Sequence, residues 1–127
     1  QYMLAVDRDN PRVADLYHTM HPAVLMALQS VVDAAKDVGI PVSLCGELAG
    51  DPAGALLLMG MGYDSLSMNA ASLPKVKSVI RNFSLSQAQA MLQQTLQQVG
   101  ADGVQQVIQE HLKAAGLTRL HSRYVDD

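Results

Sequence analysis

The sequence predicts an α/β fold built on parallel strands, the C-terminal fragment of a (β/α)8 barrel that is helix-rich when taken alone. Three observations carry that reading. Helix-period and strand-like segments alternate, which calls for right-handed crossovers and parallel pairing. Only two short strand signals occur, too few for a parallel sheet, whose strands are normally covered on both faces. The 127 residues are about half of the roughly 250 that such a barrel takes. The chain opens on Gln1, with no methionine and no charged-then-apolar leader pattern ahead of it, so the missing strands are expected upstream.

Residues 1–20 read as a polar, irregular opening with short helical potential around Val13–Tyr17. A helix is expected over Ala23–Val38: Val24, Leu25, Leu28, Val31, Val32, Ala35 and Val38 recur at three- and four-residue spacing. Pro22 suits its first turn, and Gly39 with Pro41 ends it. Val42–Cys45 reads as a short buried strand. Asp51 and Pro52 open a second helix, in which Ala53–Met59 is apolar all round and so buried, stopped by Gly60 and Gly62. Asp64–Met68 is a second strand. Leu73, Val76, Val79 and Ile80 line one side of a helix from Leu73 to Arg81. Ser84 with Gln87 forms a capping box for a helix reaching Val99, and Asp102 opens a last helix ending near Gly116. The charged tail from Thr118 is expected to fray. The whole reads as one domain portion, with residues 1–82 holding the last strand/helix units and 83–127 the terminal helices.

Composition narrows the function classes. A hydrophobic fraction of 49% with 17% charged residues is that of a globular chain, not a disordered one. A net charge of −3 with dispersed basic residues gives no footprint for nucleic acid. No apolar run reaches the length of a membrane span. A lone cysteine cannot form an internal disulfide, which favours a reducing, cytoplasmic setting.

Barrel chemistry sits at the carboxyl ends of the strands, and Cys45 closes the first strand there, followed by Gly46-Glu47. Such a thiol can be a nucleophile, a general acid or a metal ligand, and it can equally be a small core hydrophobe. No second cysteine or histidine is spaced to share a zinc ion with it. His18, His21, His111 and His121 each lie away from a strand end, and His21 before Pro22 reads as a cap. Arg8, within Asp7-Arg8-Asp9-Asn10, is either part of a solvated turn or a two-point clamp for a phosphate or carboxylate. The glycines at 46, 50, 54, 60 and 62 lack the Gly-Lys-Ser/Thr ending of a phosphate loop. The seven methionines read as core filler.

Several blocks carry a resemblance: Gln1-Tyr2-Met3-Leu4-Ala5-Val6-Asp7-Arg8-Asp9-Asn10, then Met20-His21-Pro22-Ala23-Val24-Leu25, then Cys45-Gly46-Glu47-Leu48-Ala49-Gly50-Asp51, then Leu56-Leu57-Leu58-Met59-Gly60-Met61-Gly62. In this order and spacing, over residues 1–82, the chain resembles the C-terminal end of enzyme I of the bacterial phosphotransferase system, the phosphoenolpyruvate–protein phosphotransferases. The stretches Gly50–Leu56 and Tyr63–Ala70 look closer to the nitrogen-related paralogue than to the sugar-transport form. The match weakens over residues 83–127.

The resemblance implies a phosphoenolpyruvate-binding barrel and a transfer of its phosphoryl group, through an upstream histidine, to a phosphocarrier protein. It implies that Arg8 binds phosphoenolpyruvate and that Cys45 donates the proton that turns enolpyruvate into pyruvate. It further implies Mg²⁺ held by carboxylates upstream of this chain, and a homodimer. On that basis the 127 residues alone are expected to be inactive, carrying two members of a larger site. Two other readings stay open: a barrel fragment of a pyruvate phosphate dikinase or phosphoenolpyruvate synthase, which the Met20–Leu25 and Cys45–Asp51 blocks fit less well, and a non-catalytic dimerisation module.

Overall fold

A computed structural model describes residues 1–117. The polar opening contains two single 3-10 turns, Tyr2–Leu4 and Ala14–Leu16. Then follow α1 (Pro22–Asp37), β1 (Ser43–Cys45), α2 (Glu47–Gly50), α3 (Pro52–Met61), β2 (Ser65–Ser67), α4 (Leu73–Asn82), α5 (Leu85–Leu96) and α6 (Ala101–Ala114). β1 and β2 pair in parallel, Ser43 opposite Ser65, Leu44 opposite Leu66 and Cys45 opposite Ser67. The result is a helix-rich α/β chain with one small parallel sheet, as the alternating pattern requires. The tail from Thr118, and with it His121, lies outside the described residues.

The core centres on α3. Ala55, Leu56, Leu57 and Leu58 are wholly buried, because α2, α4 and α5 surround a helix with no polar face. Around it gather Leu25 and Val32 of α1, Val79 of α4, Met91 and Leu92 of α5, and Val104 and Ile108 of α6. Both ends of α3 are fixed locally. The Asp51 carboxylate accepts the Gly54 N–H at 2.8 Å, the N-cap contact its position suggests. At the other end Gly62 adopts φ 96°, and its N–H returns to the carbonyls of Leu58 and Met59. A side chain there would run into the Lys36 ammonium, which instead donates to the Met61 carbonyl at 3.1 Å and so complements the negative end of the helix.

That turn delivers the chain to β2. Asp64 clamps the start of the sheet: its N–H donates to the Val42 carbonyl at 2.9 Å, and its carboxylate accepts the Val42 N–H at 2.8 Å. The Tyr63 hydroxyl donates to the Leu28 carbonyl at 3.2 Å, tying this turn to α1. Partial burial raises the Tyr63 phenol above its ordinary pKa of 10.0 by penalising the phenolate.

Several boundaries differ from the sequence reading, each for a physical reason. Gly60 does not stop α3; it lies inside the helix where α5 crosses so closely that a Cβ would stand 2.8 Å from the Ala88 carbonyl oxygen. The capping box of α5 is present, with Ser84 and Gln87 exchanging bonds, yet the helix ends at Leu96. Val99 is 98% exposed in the turn to α6, so an apolar residue in helical phase found no core to join. Leu73 and Ile80 also stay exposed, leaving Val76 and Val79 as the buried stripe of α4. Gly100, not Asp102, is the N-cap of α6. The one-turn helix α2 leaves no mark in the sequence, since four residues show no period. The strands are each trimmed to three residues, and β1 is not buried throughout: Ser43 and Cys45 are exposed on one face.

Gly60→Ala should force α3 and α5 apart and cost about 1–3 kcal/mol, in the range of overpacked interiors; urea unfolding with an unchanged midpoint would contradict the close crossing. Tyr63→Phe should cost about 1 kcal/mol at neutral pH, the worth of one hydrogen bond. The neutral phenol's contribution is complete below the unfolded-state pKa and is lost as pH rises through the raised folded value. Unfolding midpoints of Tyr63→Phe and the parent should therefore converge on strongly alkaline titration.

Candidate functional site

Strand alternation sorts the sheet into two faces. Leu44 and Leu66 turn toward the helices and pack on the core. Ser43, Cys45, Ser65 and Ser67 are exposed on the opposite face. The thiol thus stands at the carboxyl end of a parallel strand and faces away from the hydrophobic interior, which removes the reading of Cys45 as a core hydrophobe.

Gly46 makes the exit from β1 possible. Its φ of 151° with ψ of −179° is a conformation essentially confined to glycine. The chain turns there into α2, and Leu48 and Ala49 bury as its inner side. An added Cβ on Gly46 would meet nothing within 4 Å, so the requirement is one of backbone, not of space.

Arg8 reaches the same place from the opening segment. Val6 is buried and anchors that segment. An Asx turn, in which the Asp7 carboxylate accepts the Asp9 N–H at 3.0 Å, shapes the loop, and the Arg8 N–H donates to the Gln1 side-chain oxygen at 3.3 Å. The Arg8 guanidinium lies 3.7 Å from the Glu47 carboxylate and 3.9 Å from that of Asp9. With the side chains 52% and 70% exposed for Arg8 and Glu47, this pair is long and solvated and contributes little to stability. The guanidinium therefore keeps most of its donors available for an anion.

Arg8 and Cys45 line one cleft of about 370 Å³, which also takes in Gly46, Glu47 and His18. A second, polar cleft of about 580 Å³ lies between the loops that follow β1 and β2, walled by Glu47 and Asp51 on one side and by Ser67, Asn69 and Ser72 on the other. A smaller cavity of about 280 Å³ runs under α6 and is bounded by His18, Met20, Glu47, Ile108 and Leu112. Glu47 borders all three.

The fold thus places Arg8 and Cys45 on one cleft. It adds Glu47, His18 and Ser67, which that reading did not select. Glu47 had a signal in its position two residues after the thiol; His18 and Ser67 are recruited by tertiary structure alone. His21 is a cap, its Nδ1 accepting the Ala23 N–H at 3.1 Å. His111 pairs with the Gln94 side chain at 3.0 Å and links α6 to α5. Among the described residues no group of three or more His, Cys, Asp or Glu side chains is arranged to hold a metal ion. No helix among them is long and apolar enough to cross a membrane.

An exposed arginine and an exposed thiol thus share one cleft at the carboxyl end of a strand in a parallel pair. Comparison with known proteins gives the family. Residues 1–85 match the model of the PEP-utilising enzyme, PEP-binding domain, and the chain belongs to that family. It is 45% identical over 112 residues to a phosphoenolpyruvate-protein phosphotransferase of Haemophilus influenzae, covering 88% of this chain and 20% of the relative. It is 39% identical over 117 residues to a protein of Salmonella typhimurium described as phosphoenolpyruvate-dependent phosphotransferase system, covering 92% and 16%. A multiphosphoryl transfer protein of Xanthomonas campestris is 45% identical over 97 residues, covering 76% and 12%. The chain spans a fifth or less of the length of these relatives.

An exposed thiol should titrate with a disulfide reagent in native buffer. One equivalent per chain is expected without denaturant, and reaction only after unfolding would remove Cys45 from the cleft.

Proposed function

We propose that this chain forms the last part of the phosphoenolpyruvate-binding barrel of a phosphoenolpyruvate–protein phosphotransferase, with Arg8 binding the substrate and Cys45 protonating enolpyruvate. The observation that carries the reading is the shared cleft: side chains 37 positions apart in sequence converge at the carboxyl end of β1. Relatives that are phosphoenolpyruvate-protein phosphotransferases support the activity.

In this reading the phosphoryl group of phosphoenolpyruvate passes to a histidine outside this chain and then to a phosphocarrier protein. Arg8 offers its planar fork to the anionic groups of the substrate, exchanging the weak Glu47 contact for a charge-assisted, two-point one. Loss of the phosphoryl group leaves an enolate. The Cys45 proton moves to its methylene carbon and gives pyruvate; a well-placed acid is worth roughly 10²–10⁴ in rate. When bound, Mg²⁺ neutralises substrate charge, and in this reading its carboxylates lie outside the chain.

The barrel itself is part of the proposal. The two-stranded sheet has an unpaired outer edge on each strand, and α1 exposes Met26 and Val31, with Val38 and Ile40 beyond its end. Further strands and helices of the same barrel would cover both. A cytoplasmic homodimer, closest to the nitrogen-related branch, completes the reading. The 127 residues alone are expected to be inactive, because the phosphorylated histidine and the metal ligands are elsewhere.

In the full-length protein, Cys45→Ala should lower the steady-state release of pyruvate by about 10²–10⁴ while a single phosphoryl transfer to the carrier persists. Unchanged pyruvate release would remove the acid role. Arg8→Ala should raise the KM for phosphoenolpyruvate by about 10–100-fold, the worth of a lost charged hydrogen-bonding pair. Kinetics equal to the parent would remove it from the site.

A further inference from the structure

The register of the sheet sets Cys45 directly opposite Ser67. Partners in a parallel pair project to the same face, on strands about 4.8 Å apart. Both residues are exposed, and both close their strands at the carboxyl end. Among the described residues neither the thiol nor the hydroxyl is held in a hydrogen bond by another protein group, so each is available to the other. Ser67 also forms a wall of the polar cleft that meets the Cys45 cleft at Gly46 and Glu47.

We propose that Ser67 is a positioning residue for Cys45: its hydroxyl donates a hydrogen bond to the Cys45 thiolate left by proton transfer to the enolate. This rests on the reading of Cys45 as the proton donor. In that step the S–H bond breaks and a C–H bond forms at the methylene carbon from the electron pair of the enolate double bond. Sulfur keeps the S–H pair as a thiolate and later regains a proton from a solvent acid. A hydroxyl can donate to the thiolate and accept from the thiol, and hydrogen bonding to the charged form favours that form. No other side chain on the exposed face of the described sheet stands opposite the thiol.

Two measurements test this. In the full-length protein, Ser67→Ala should lower kcat for pyruvate release about tenfold, the worth of a hydrogen bond to a charged group, with the KM for phosphoenolpyruvate unchanged. Ser67→Thr, which keeps the hydroxyl in a side chain suited to a strand, should restore it. An unchanged kcat, or a raised KM alone, would overturn the proposal. In the 127-residue chain Cys45 is the single cysteine, so alkylation by iodoacetamide reads this thiol directly. Since the thiolate is the reactive species, Ser67→Ala should slow alkylation about tenfold at one near-neutral pH, and Ser67→Thr should not. Equal alkylation rates for Ser67→Ala and the parent overturn the proposal whatever the enzyme does. If alkylation slows as stated but the full-length protein releases no pyruvate, the transferase reading fails and the pairing of hydroxyl with thiol stands.

Discussion

Complete burial of α3 is the constraint on which the rest depends. A ten-residue helix without a polar face cannot be stable against water on any side; at about 25 cal/mol per Å², leaving even one of its leucines exposed would forfeit a substantial part of a domain's narrow stability margin. It must be wrapped, and α2, α4 and α5 do so. The wrapping then dictates geometry at both ends. Asp51 caps the start, accepting the Gly54 N–H directly after α2 ends. Gly62 closes the other end and returns the chain in the direction that lets Asp64 lock onto Val42. The parallel pairing of two three-residue strands follows from the crossover more than from the strands' own few hydrogen bonds.

The site inherits its form from that arrangement. With Leu44 and Leu66 committed to the helix side, strand periodicity leaves Cys45 and Ser67 no choice but the opposite face. Glycine at 46, in a backbone conformation closed to other residues, lets the chain leave β1 abruptly and brings Glu47 within reach of Arg8. The site's charges are accordingly unequal partners of the fold. The Arg8–Glu47 pair is too exposed to hold the structure together, so the guanidinium stays solvated beside the cleft.

The sequence was legible where physics is local. The α1 helix with its buried Leu25, Val32 and Ala35, the apolar α3, the Ser84–Gln87 box and the alternation of helix and strand are each specified by near neighbours, and each is present. It misled where an apolar residue in the right phase had nothing to pack on, as at Val31 and Val38 of the expected α1 stripe and at Val99, Leu73 and Ile80. It also misled at Gly60, where glycine marks a close helix crossing and not a helix end. α2 is too short to show a period at all.

Taken by itself, the sequence determined that parallel strands alternate with helices, that Cys45 closes one of the strands, and that its blocks resemble the phosphoenolpyruvate-dependent phosphotransferases, because helical period, capping chemistry and motif spacing are properties of adjacent residues. Tertiary structure decided the face on which the thiol lies, its neighbours across the sheet, and the approach of Arg8 from 37 positions away. Those depend on register and on the crossover through α3, and neither is encoded within reach of Cys45 along the chain.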